Sequence, residues 1–467
     1  MTKDILKLAW PVFIGQLAVM LNGVIDTIMA GRLSAVDVAA VGLGASIYVS
    51  VYIGLMGVLL ALSPIVAQHY GARRLEQIGP ETHQAAWLAL MLSVPGCAAL
   101  AASDLWLALS APPPEVAAMA RTYLWATAAG LPAALFFRVF HALSNAIARP
   151  NAVMAINLAG AVLKVPLNAL FMNGWHAGDT VVVPALGGAG CGVATAILAW
   201  LSLLLALAAL RVEPLYRRLG VVGGWPGRPD VARLRGLLAL GLPIGATYLV
   251  EVTSFTFMAV FLARLGATTA ASHQIAANLA ALVYMLPLAL GTATGVLVAQ
   301  SLGAARAGEA RERAWAGIRI ALACAAAIGI ALFVLRERLA AIYTTDPVLV
   351  AAAVPLLALV AMFQLFDAVQ AMCSFILRAY RITTLPMLVY VFSLWGVGLG
   401  GGWWLAFVVG TSTHTWAAEV AGARGFWIAA GSSLALAAAC LATLLARVWR
   451  ATGTGQATGV AARNRSR

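Results

Sequence analysis

Three carboxylates stand inside long apolar runs of this 467-residue sequence: Asp26, Glu251 and Asp367. A carboxylate near a bilayer centre costs roughly 2.5–3.5 kcal/mol on insertion scales, so its retention there points to work on a charged partner. No basic residue is evident in the middle of the second-half runs that hold Glu251 and Asp367. Two such acids require a cation, Na⁺ or H⁺, and removal from water favours the protonated form of a carboxyl group. Glu251 follows Tyr248 and precedes Thr253 and Ser254, and Phe363 lies one turn before Asp367. Asp26 has Asn22 one turn earlier on the same face and Gln16 near that stripe. Lys164 and Asn168 are one turn apart around Pro166. Lys164 is expected either to neutralise Asp26 or to snorkel to an interface. His273, Gln274 and Asn278 form a further polar stripe, to be read as cavity lining or as helix–helix glue. For Arg138 and His141 a structural role is expected.

Only a membrane-spanning scaffold explains where these residues stand. The sequence is 62% hydrophobic and 10% charged, with a mean hydropathy of +0.92. A soluble fold carries roughly 25% charged residues. Apolar runs of about 20 residues, the length of a spanning helix, fall near 10–30, 43–67, 84–108, 121–143, 152–173 and 189–210. Six more fall near 238–262, 274–300, 314–335, 349–371, 385–409 and 426–447. The expected fold is all-α, twelve transmembrane helices in two pseudo-symmetric six-helix bundles. No small-residue cleavage site follows the first run, so it reads as a first span. With both termini inside, 22 Lys and Arg fall on the cytoplasmic side against five outside: Arg32, Arg264, Arg336, Arg338 and Arg424. That bias orients the chain in a bacterial-type inner membrane and ascribes the +13 charge to lipid head groups, not nucleic acid. Five scattered cysteines form no metal spacing or disulfide framework. No Walker-type loop, Gly-x-Ser-x-Gly elbow or metal-binding triad appears, so no enzyme and no cofactor are expected.

Shifting the chain by 232 residues places Pro11 on Pro243, Arg32-Leu33 on Arg264-Leu265, Val51-Tyr52 on Val283-Tyr284 and Val66-Ala67-Gln68 on Val298-Ala299-Gln300. Arg149 falls on Arg381 at the same offset. The series reads as a duplication of two same-direction halves about an axis along the membrane normal, with substrate handled between them. The acids are not duplicated, since Glu251 aligns with Val19 and Asp26 with Met258. The expected division is a first bundle over 1–215, a cytoplasmic linker over 216–236, a second bundle over 237–450 and a disordered cytoplasmic tail over 451–467.

The chain resembles the multidrug and toxic compound extrusion (MATE) transporters of the NorM-type branch. The resemblance covers nearly the whole chain. It is carried by Val24-Ile25-Asp26-Thr27-Ile28-Met29-Ala30-Gly31, Pro64-Ile65-Val66-Ala67-Gln68, Val165-Pro166-Leu167-Asn168 and Gly187-Gly188-Ala189-Gly190-Cys191-Gly192-Val193-Ala194-Thr195, continued by Glu251-Val252-Thr253, His273-Gln274 and Phe366-Asp367-Ala368-Val369-Gln370. It implies export of cationic amphipathic small molecules in exchange for Na⁺ or H⁺, by a protein expected to be a monomer. It places the coupling cation, Na⁺ if that is the ion, on Glu251 and Asp367, and an acidic cavity on Asp26 and Asn168. Phe363 stands where the family often has Tyr, and Lys164 where Asn is common. A lipid-linked sugar flippase of related architecture is the alternative; it predicts an Arg-lined cavity, whereas the mid-span charges here are mostly acidic.

Overall fold

The structure is a computed structural model and describes residues 1–177, 180–222, 227–409 and 422–453. Among these, twelve helices are long and apolar enough to cross a membrane. They are α1 Thr2–Gly31, α2 Ala35–Gly71, α3 Leu75–Ala101, α4 Pro114–Ala146, α5 Asn151–Asn173, α6 Ala189–Val212, α7 Val231–Ala263, α8 Ala267–Gly303, α9 Ala307–Tyr343, α10 Pro347–Ala379, α11 Thr384–Phe407 and α12 Gly422–Ala451. Lengths run from 23 to 37 residues. At 1.5 Å per residue the longest reach about 55 Å, well beyond a hydrocarbon core of roughly 30 Å. Helices therefore overrun the apolar stretches that mark them, carrying residues expected in loops, such as Arg378, into helical geometry.

Breaks have local causes. Helix α2 is interrupted at Leu60–Ala61, where Pro64 supplies no N–H and its ring crowds the carbonyl four residues back. The run expected to continue to 108 ends at Ala101 and is followed by a separate short helix, Ser103–Ser110. In α11 the ten residues Val391–Gly400 form a π-helix between two α-helical segments. A two-stranded antiparallel pair, Trp175–Ala177 with Thr180–Val183, lies between α5 and α6, a departure from the all-helical expectation.

The repeat is visible in the helix boundaries. Helices α2 and α8 correspond end to end at an offset of 232, and α4 and α10 at 233. The left-handed residues after these helices agree, Arg73 with Ala305 and Ala148 with Arg381. The equivalent of Arg381 is thus Ala148, not Arg149. The extra residue is absorbed where the first half breaks at Ala102 while α9 continues to Tyr343.

Two compact units emerge, Trp10–Gly245 and Met1–Ala9 together with Ala246 onward, so the division falls inside α1 and inside α7. The segment before α7 packs on the first unit. Tyr216 is fully buried, with its hydroxyl 2.9 Å from Ser144 Oγ, and burial raises its pKa. Trp87 Nε1 donates to Gly227 O, and Arg233 pairs with Glu81 at 3.0 Å. Within the second unit the core gathers Leu356, Leu357, Phe363, Phe426 and Trp427. Pro226 and the tail beyond Gly453 lie outside the described residues.

Candidate functional site

Each unit encloses a polar cluster among apolar helices. In the first unit, Lys164 Nζ on α5 lies 3.0 Å from Asp26 Oδ1 on α1. It also donates to Thr195 Oγ1 at 2.6 Å and to Cys191 O at 3.3 Å, both on α6. Asn168 Nδ2 donates to the same Asp26 oxygen at 2.7 Å. All three ammonium protons thus have oxygen acceptors, as a buried charge requires. The side-chain oxygens of Asn22 and Asn168 are buried without a partner. Asp26, Lys164 and Asn168 come together here, while Gln16 does not join them. Gln16 lines a separate small cavity with His141, Asn145 and Asn157, nearly three turns along α1 from Asp26. Arg138 Nη1 approaches His141 Nδ1 at 3.4 Å beside that cavity.

The glycine-rich start of α6 builds this cluster. Gly190 packs so closely on α5 that a Cβ there would meet the Phe171 backbone at 2.5 Å. Small residues at such contacts let helices in membranes approach. The approach brings Cys191 O and Thr195 to Lys164. Asp37 on α2 secures the turn, accepting from Gly188 N and from Ser34 Oγ, each at 2.5 Å. Asp37 escaped the sequence reading because it sits near a helix end, where an acid looks solvated.

In the second unit, Asp367 on α10 is 7% exposed and accepts from Gln370 Nε2 at 2.9 Å. Tyr390 on α11 donates its hydroxyl to Gln370 Oε1 and lies close to Glu251 on α7. The two acids and Tyr284 on α8 lie close enough to interact electrostatically. Arg378, assigned by sequence to a cytoplasmic loop, instead lies in the last turn of α10. It donates to Tyr248 OH at 3.1 Å, stacks on the Tyr248 and Phe375 rings at 5.0 and 4.7 Å, and attracts Glu251. The expectation of acids without a basic neighbour is corrected accordingly: helix α10 runs on past the apolar stretch and carries the guanidinium inward.

The remaining predicted residues separate. His273 is buried, with its ring 5.7 Å from that of Trp427, whereas Gln274 and Asn278 are exposed and bonded to each other at 3.1 Å. Phe363 stacks on Trp427 at 5.8 Å with an interplanar angle of 8°. Gln370 stood in the motif that carries the resemblance without a role assigned to it, and Tyr390 was legible only as a polar residue in an apolar run. Among the described residues no group of three or more His, Cys, Asp or Glu could hold a metal ion. The second cluster offers carboxylate, amide and phenol oxygens, a donor set that suits a hard cation or a proton better than a transition metal.

Twelve candidate spanning helices in two repeated halves define a polytopic membrane transporter. The chain belongs to the MatE family, whose model matches residues 11–170 and 243–404. Over 445 residues it is 41% identical to the probable multidrug resistance protein NorM of Aromatoleum aromaticum, covering 95% of this chain and 93% of that one. It is 36% identical to the multidrug resistance protein PmpM of Pseudomonas aeruginosa, covering 95% and 91%. A MATE crystal structure in the straight conformation superposes with a TM-score of 0.85 at 20% identity, covering 97% of both chains. The bent form of the Vibrio cholerae MATE transporter VcmN gives 0.82 at 17%, covering 96% of this chain and 97% of that one.

Proposed function

We propose that the chain is a secondary multidrug efflux antiporter, exporting cationic amphipathic molecules in exchange for Na⁺ or H⁺ by alternating access. The observation that carries this reading is the buried acid pair of the second unit, Glu251 and Asp367, with Asp367 bonded to Gln370 and Gln370 to Tyr390 beside Glu251. Cation occupancy of the pair favours one arrangement of the protein and drug binding the other; each ligand shifts the balance only by its differential affinity for the two. In the first unit Lys164 pairs with Asp26 at 3.0 Å, which on this reading leaves the coupling step to Glu251 and Asp367. The names of the relatives, both multidrug resistance proteins, support the substrate class. The basic-residue asymmetry supports an inner-membrane location with both termini cytoplasmic.

The test is efflux of a fluorescent organic cation from proteoliposomes under separately imposed Na⁺ and pH gradients. Wild type runs beside Glu251→Gln and Asp367→Asn. Efflux driven by one gradient and abolished in both variants is the expected result. Efflux that survives both substitutions sinks the assignment.

A further inference from the structure

The face of the second unit formed by α9, α10 and α12 carries a groove of about 750 Å³. Its floor is made of small residues. A Cβ on Gly329 would lie 2.9 Å from Ala361 O, so α9 and α10 nearly touch there and leave a furrow beside the contact. The walls are Ile330 and Phe333 on α9, Met362 on α10 and Ile428 on α12. Ile330 is 66% exposed and Met362 67%. On a membrane-spanning face, apolar side chains so exposed suit contact with acyl chains.

One end of the furrow is cationic. Arg424, in the first turn of α12, lines it and is exposed. Arg336 lies one turn beyond Phe333, with its guanidinium 4.4 Å from the centre of that wall-forming ring. Among the described residues neither guanidinium pairs with a carboxylate. Three of the five basic residues that the charge bias leaves on the outer side, Arg336, Arg338 and Arg424, belong to α9 and α12. Two guanidinium groups above an apolar furrow match a phosphate joined to an acyl chain, because Arg binds phosphate oxygens through paired N–H donors. A head group with net negative charge gains from both cations, whereas the ammonium of a zwitterionic head group opposes them.

We infer that this groove binds one anionic phospholipid, its phosphate held by Arg424 and Arg336 and one acyl chain lying between α9, α10 and α12. None of the groove residues belongs to either acid cluster, so the site stands independently of the coupling-ion reading.

The test uses the full chain in detergent micelles loaded with phosphatidylglycerol or phosphatidylcholine, then diluted into lipid-free detergent, with retained lipid counted by native mass spectrometry. Wild type is expected to keep phosphatidylglycerol and shed phosphatidylcholine. The double variant Arg336→Gln/Arg424→Gln should lose phosphatidylglycerol retention by about tenfold or more, the scale on which charge-assisted hydrogen bonds act. Ala358→Phe, which fills the furrow, should lower retention while leaving both arginines in place. Equal retention of the two lipids by wild type overturns the proposal, as does a double variant that holds phosphatidylglycerol like wild type. So does cross-linking that places the groove against a second copy of the chain. Size-exclusion chromatography checks the fold of each variant, and if Ala358→Phe fails to fold the charge variant alone decides.

Discussion

Lys164 Nζ lies 3.0 Å from Asp26 Oδ1, with the lysine side chain 1% exposed and the carboxylate side chain 9%. A pair so deeply enclosed is held by mutual dependence, because either charge alone would face desolvation without its counter-charge. Removing one partner of a buried pair costs about 3–5 kcal/mol, whereas replacing both by uncharged groups of similar volume is close to neutral. Lys164→Met is therefore expected to lower the thermal midpoint of the solubilised protein sharply, and adding Asp26→Asn to recover most of the loss. A double variant whose loss equals the sum of the single losses would contradict the pairing.

Tyr390 on α11 hydrogen-bonds Gln370, the partner of Asp367, and lies close to Glu251. Groups that orient the ligands of a cation typically change its affinity about 10–100-fold when removed. Tyr390→Phe should raise the half-saturating concentration of the coupling ion by about tenfold or more while drug affinity in binding assays stays the same. An unchanged ion dependence would remove Tyr390 from the site.

Phe363 is 4% exposed and stacked on Trp427, away from the hydrogen bonds of Asp367. Phe363→Tyr is expected to leave the choice between Na⁺ and H⁺ unaltered in the proteoliposome assay. Its cost is stability, about 1–3 kcal/mol if the new hydroxyl is buried without a partner. A switch of driving ion would show that the ring turns toward the acids.

Asp37 holds the first turn of α6 through Gly188 N and is itself held by Ser34. Hydrogen bonds to charged groups contribute about 1.5–3 kcal/mol. Asp37→Ala should destabilise by that order, and Asp37→Asn by less. Both are read from thermal unfolding with transport measured below the midpoint. Loss of transport without loss of stability would give Asp37 a role beyond this capping.

Much of the architecture was legible before any coordinates. Twelve spans, two halves and three mid-span acids follow from composition, because the energy of placing a residue in hydrocarbon belongs to that residue and adds up along the chain. The offset was legible too, as far as Val66-Ala67-Gln68 on Val298-Ala299-Gln300. Beyond that, repetition in an alanine-rich sequence could not reveal the single residue absorbed at Ala102, which moves the partner of Arg381 from Arg149 to Ala148.

What only the tertiary structure decided is which side chains meet. Arg378 and Tyr248 are 130 residues apart in sequence, and Asn168 and Asp26 are 142 apart. Whether they touch depends on the length, tilt and rotation of each helix, and these are set by packing: Gly190 against Phe171, Phe363 against Trp427. Hydropathy is nearly unchanged when a helix turns about its own axis or runs one turn further, so no pattern in it could have brought Arg378 to Glu251 or Tyr390 to Gln370.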